Sequence, residues 1–119
     1  MATVLVIEDD PDTRLLEQTV LECSGFQVCT ASNGHDGLRQ LRERRPCAVV
    51  LDLMMPGMGR LTFLRERSSD PALREIPVLC VTAGGSEMVA HAKRLGAREC
   101  LHKPTDFDEL CELVTSYCC

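Results

Sequence analysis

The sequence predicts an α/β domain built on a five-stranded parallel sheet, with five helices that cover both of its faces. Five short apolar runs alternate with amphipathic stretches, the pattern of consecutive βαβ units. The first, third and fourth runs are almost continuously apolar, as strands buried on both faces must be. The 119 residues fit one domain of ordinary size, with no room for a second.

The strands are expected at Thr3 to Ile7, Gln27 to Ala31, Ala48 to Leu51, Pro77 to Thr82 and Glu99 to His102. Between the first two, Asp12 to Cys23 carries Leu15, Leu16, Thr19, Val20 and Cys23 at helical spacing and stops at Ser24-Gly25. Gly34 to Arg45 carries Leu38 and Leu41, with a basic end that suits the negative pole of a helix ahead of Pro46. A third helix begins near Arg60 with Leu61 and Leu64, and a loop containing Asp70-Pro71 leads to the fourth strand. Ser86 to Leu95 is the fourth helix, closed by Gly96. The last starts after Pro104, where Thr105 and Asp108 resemble a capping box, and Leu110, Leu113, Val114 and Tyr117 form its inner stripe.

Composition narrows the function. With 45% hydrophobic and 26% charged residues, disordered and low-complexity classes are excluded. Eighteen acidic against 13 basic residues give a net charge of -5, the wrong sign for gripping a phosphate backbone, so direct nucleic-acid binding is not expected. No apolar run approaches the roughly 20 residues of a membrane span, and the N-terminus has no signal-peptide pattern. A cytoplasmic location is expected. The eight cysteines therefore read as reduced thiols. Cys29, Cys47, Cys80 and Cys100 sit in apolar stretches as small core fillers, with Cys118 and Cys119 as the candidates for reactivity.

In an open parallel sheet the functional crevice lies beyond the carboxyl ends of the strands. The residues after each apolar run are Glu8, Asp9 and Asp10 after the first, Asp52 after the third, Thr82 after the fourth and Lys103-Pro104 after the fifth. Taken singly, each is ordinary: Glu8 or Asp9 could cap a helix, Asp52 could sit in a turn, Thr82 could be a plain strand residue and Lys103 a solvated charge. Topology makes them neighbours. Crowded carboxylates repel unless a cation intervenes, and hard oxygen ligands favour magnesium.

At this point the sequence resembles the receiver domain of two-component response regulators. The resemblance covers essentially the whole chain and rests on V-L-V-I-E-D-D-P at 4 to 11, V-V-L-D-L-M-M-P-G-M at 49 to 58, V-L-C-V-T-A at 78 to 83 and G-A-R-E-C-L-H-K-P at 96 to 104. It implies a flavodoxin-like, doubly wound sheet of order 2-1-3-4-5. It also implies that Asp52 takes a phosphoryl group from a sensor histidine kinase or histidine phosphotransfer protein. Glu8, Asp9, Asp52 and the backbone carbonyl of Met54 would hold Mg²⁺. Thr82 and Lys103 would complete the catalytic set, neutralising and then reading the phosphoryl group and passing the signal to a downstream protein partner or output domain. A cis peptide at Lys103-Pro104 is implied as well. Apart from self-phosphorylation and self-dephosphorylation, no enzymatic turnover is expected.

The chain departs from the family pattern in places. Arg60 replaces a glycine at the third helix start, Cys100 stands where a switch aromatic is usual, Arg98-Glu99 replaces a paired acid, and Thr105 replaces a phenylalanine that Phe107 is expected to offset by packing. Cys100 puts the usual readout in doubt without touching phosphorylation. Two other functions fit the same fold less well. A small haloacid-dehalogenase-like phosphatase would use Asp10-Pro11-Asp12-Thr13 with its threonine one position off. A flavodoxin-like electron carrier would want aromatic walls, whereas the chain has four aromatics and an acidic first loop.

Overall fold

The computed structural model describes residues 2–53 and 59–118, the side chains of residues 59 and 60 apart. Five parallel strands, β1 (Thr3–Ile7), β2 (Gln27–Ala31), β3 (Ala48–Asp52), β4 (Val78–Thr82) and β5 (Glu99–His102), form one sheet in the order β2-β1-β3-β4-β5. Five helices alternate with them: α1 (Pro11–Cys23), α2 (Gly34–Arg44), α3 (Gly59–Ser69), α4 (Ser86–Arg94) and α5 (Phe107–Cys118). This is the flavodoxin-like doubly wound arrangement.

Strand residues alternate between two cores because successive side chains point to opposite faces. Leu5, Ile7, Val49, Leu51, Val78 and Cys80 pack with Leu38, Leu41, Phe63, Leu64 and Ala92 under α2, α3 and α4. Val4, Val6, Val50, Leu79 and Val81 pack with Leu21, Leu110 and Val114 under α1 and α5. The fit is closest at Gly37 in α2, where an added Cβ would lie 2.5 Å from Cδ1 of Ile7. Phe107 packs against the α1/α5 core as expected.

Four expectations are corrected. The buried residues of α1 are Glu17 and Leu21, while Leu15 and Leu16 are 61% and 48% exposed and Thr19 and Cys23 also face solvent. The helix has apolar residues on more than one side, so periodicity alone did not select the face that meets the sheet. It starts at Pro11, capped by Asp10, whose carboxylate accepts from the Thr13 amide at 3.0 Å. At α5 the cap is Asp106, accepting from the Asp108 and Glu109 amides at 3.0 and 3.2 Å, and not Thr105 with Asp108; the helix begins one residue later than a Thr105 cap requires. The second helix ends at Arg44, since Arg45 takes a left-handed φ of 46°.

The fourth correction concerns thiols. Cys47, just before β3, and Cys118, at the end of α5, are joined by a disulfide with Cα atoms 5.3 Å apart. The core-filler reading fits Cys80, which is fully buried, and the half-buried Cys29 and Cys100, all free. The pairing spans 71 residues, and an apolar local context carries no trace of it. Cys119 lies outside the described residues.

Candidate functional site

The carboxyl ends of β1 and β3 put three acids in one place. Glu8 follows β1, its amide donating to the Ala31 carbonyl at 3.0 Å, and Arg14 from α1 donates to the Glu8 carbonyl at 2.9 Å. Those bonds at the strand end leave the Glu8 side chain facing Asp52. One carboxylate oxygen from each of Glu8, Asp9 and Asp52 lies within 4.8 Å of the others. Glu8 and Asp52 are buried while Asp9 is exposed at the rim. Lys103 brings the compensating charge, with Nζ 3.5 Å from Asp52 Oδ2. Its amide donates to the Thr82 carbonyl at 2.9 Å, tying the loop to β4, and the Lys103-Pro104 peptide is cis as expected.

The acids are not at ease. Burial is the main cause that lifts the Glu8 carboxyl to about 8, and its hydrogen bond to Asp52 and the charge of Asp52 add to this while Lys103 opposes it. Two carboxyl groups can share such a bond only if one carries a proton. Oε2 of Glu8 is buried with no donor facing it among the described residues, while Oε1 accepts a long 3.4 Å bond from the Asp10 amide. A buried oxygen without a donor, in a ring of hard oxygen ligands, is the arrangement a divalent cation fits.

Thr82 ends β4 and is fully buried. Its Oγ1 accepts from the Gly84 amide at 2.8 Å and donates to Sδ of Met88, on α4, at 3.7 Å. Both of these partners belong to the loop and helix that follow β4. The structure thus brings Glu8, Asp9, Asp52 and Lys103 into direct proximity and holds Thr82 at the adjacent strand end. Met54, expected to lend a carbonyl, lies outside the described residues, as does the Arg60 side chain.

Two participants escaped the sequence reading. Glu17 is 2% exposed on the inner face of α1. Burial foremost raises its carboxyl to about 7, Lys103 pulling it down and Asp52 pushing it up. Met88 holds the Thr82 hydroxyl. The signal for Glu17 was its place between Arg14 and Leu21, one turn from each; the leucines beside it masked that stripe.

Comparison with known proteins identifies the family. The response regulator receiver domain family matches residues 4–115. The chain is 34% identical to Protein PilH of Pseudomonas aeruginosa, over 98% of this chain and 97% of that one. It is 34% identical to Sporulation initiation phosphotransferase F of Bacillus subtilis, over 96% and 91%. It is also 38% identical to the transcriptional regulatory protein ZraR of Salmonella typhimurium, of which it spans only 25%. Among solved structures, chemotaxis protein CheY4 of Vibrio cholerae superimposes with a TM-score of 0.90 at 25% identity, covering 98% of each chain. Neither the phosphatase nor the flavodoxin alternative is favoured by these likenesses. The chain belongs to the response regulator receiver domains, a family of phosphoacceptor signalling domains rather than of enzymes in the ordinary sense.

Proposed function

We propose that Asp52 accepts a phosphoryl group from a phosphohistidine of a sensor kinase or phosphotransfer protein in the cytoplasm. The observation that carries this reading is the pairing of Asp52, 4% exposed, with Lys103 at 3.5 Å inside the Glu8, Asp9 and Asp52 cluster. An Asp52 carboxylate oxygen attacks phosphorus, the phosphorus–nitrogen bond of the donor breaks, and the imidazole leaves. Charge on the transferring oxygens must be neutralised as they move. Lys103 supplies one positive charge. Mg²⁺, which Glu8, Asp9 and Asp52 would hold, would supply more when bound.

Asp9 at the exposed rim would meet a cation from solvent, and Glu8, which shares its site with Asp52, would hold it as the carboxylate. Thr82 then gives up Met88 and turns its hydroxyl to the phosphoryl oxygens, loosening the start of α4. The test is intact-mass measurement with Mg²⁺ and a small donor such as acetyl phosphate. One added phosphoryl group is expected on the native chain and none on Asp52→Asn. A native chain left unmodified by acetyl phosphate, carbamoyl phosphate and phosphoramidate alike overturns the reading.

A further inference from the structure

Cys80 of β4 and Cys100 of β5 are direct register partners in the parallel sheet. Their side chains emerge on the same face, into the core under α2, α3 and α4. Neighbouring strands lie about 4.8 Å apart, inside the Cα separation that a disulfide spans. Both thiols are free, and each shifts the ionisation of the other. They differ in access: Cys80 is fully buried, whereas Cys100 is half-buried and lines a cleft of about 280 Å³ with His102, Pro104, Asp106 and Glu109.

We propose that Cys100 is a peroxide-reactive thiol and Cys80 its resolving partner, so that hydrogen peroxide closes a disulfide between β4 and β5 two residues from Thr82. The chemistry has two steps. The Cys100 thiolate attacks one peroxide oxygen, the oxygen–oxygen bond breaks, and a proton from solvent makes the second oxygen water; Cys100 becomes a sulfenic acid, oxidised by two electrons. The Cys80 sulfur then attacks the Cys100 sulfur, the Cys100 hydroxyl leaves with the Cys80 proton as a second water, and the disulfide is formed.

The electrostatics assign the same roles. Interaction with the neighbouring Cys80 thiol is the main cause that brings the Cys100 thiol down to about 7, with Lys93 helping and burial and Glu99 opposing. That same interaction, followed by burial, pushes the Cys80 thiol well above the ordinary range. The more accessible thiol is therefore the one biased toward thiolate, and the buried one keeps its proton. A buried resolving thiol meets no peroxide from solvent but lies against the sulfenic acid as it forms.

The experiment is differential alkylation of the whole native chain. After a short exposure of the native chain to equimolar hydrogen peroxide, free thiols are blocked with light maleimide in denaturant, so that buried thiols react too, then the chain is reduced, labelled with heavy maleimide and mapped by mass spectrometry. Cys47 and Cys118 start oxidised and serve as the internal reference. Cys80 and Cys100 are expected to pass into the heavy label together, about tenfold faster than the exposed Cys23. Cys100→Ser should keep Cys80 in the light label, and Cys80→Ala should leave a sulfenic acid on Cys100 that dimedone traps. Oxidation of Cys100 with Cys80 still free in the native chain overturns the proposal, as does Cys23 reacting at the same rate. Because the native chain alone decides between these results, failure of either variant to fold changes nothing.

Discussion

The two ends of the sheet are built on opposite principles. At the amino ends of the strands the polar groups are satisfied. Arg67, 2% exposed on α3, donates to the carbonyls of Arg74, Ile76 and Gly96, and the Cys47–Cys118 disulfide ties the approach to β3 to the end of α5. At the carboxyl ends the buried groups are crowded carboxyls. Glu8, Asp52 and Glu17 are each under 5% exposed, Glu8 keeps an oxygen without a donor, and Lys103 is the cation that contacts Asp52. One end secures the fold; the other holds a repulsion that a ligand can relieve. A functional site is where such local conflict is expected.

Removing the buried cation from the secure end should cost the most. Arg67→Met leaves three carbonyls without their donor, and the loss is expected at about 3 kcal/mol or more, read as a lowered urea midpoint with unchanged slope. Next comes the tether: Cys118→Ser should cost about 2 to 4 kcal/mol through the freed unfolded chain, and reduction of the native protein with a dithiol should reproduce it. A midpoint unmoved by either change would erase the contrast at this end.

The acidic end should show itself through pH. In the unfolded chain Glu8 and Glu17 ionise near 4.5, whereas in the fold Glu8 keeps its proton to about 8 and Glu17 to about 7. The folded state binds more protons in this window. Stability is therefore complete below 4.5 and falls as pH rises, levelling off above about 8. In chelator, urea unfolding across that range should show the fall, and Glu17→Gln should remove the part of it ending near 7, on the order of 3 kcal/mol. A flat profile in the native chain would mean that these acids ionise freely.

Much of this was legible in the sequence for a physical reason. Strands buried on both faces must be apolar throughout, so β1, β3 and β4 stand out, and the residues that follow them are the ones the topology gathers. Glu8, Asp9, Asp52 and Lys103 were found in that way, each by its position after an apolar run. What escaped depends on contacts distant in the chain. Leu15 and Leu16 suggested the wrong face of α1 because the inner stripe carries Glu17, a charged residue that only the neighbouring site accommodates. Cys47 looks like a core filler and Cys118 like a free terminal thiol until α5 folds back over β3. Asp106, which caps α5, was passed over for Thr105 because a one-residue change in helix start leaves the local pattern nearly the same.

The repulsion among Glu8, Asp9 and Asp52 is tested most directly by melting the protein in chelator and in millimolar Mg²⁺, beside Asp52→Asn. Like charges a few Å apart cost on the order of 1 to 3 kcal/mol, so Asp52→Asn should melt several degrees above the native chain in chelator. Mg²⁺ should raise the native melting temperature by mass action and the variant's much less. Equal melting temperatures for the native chain with and without Mg²⁺, together with no gain from Asp52→Asn, would contradict a strained acidic site that a cation relieves.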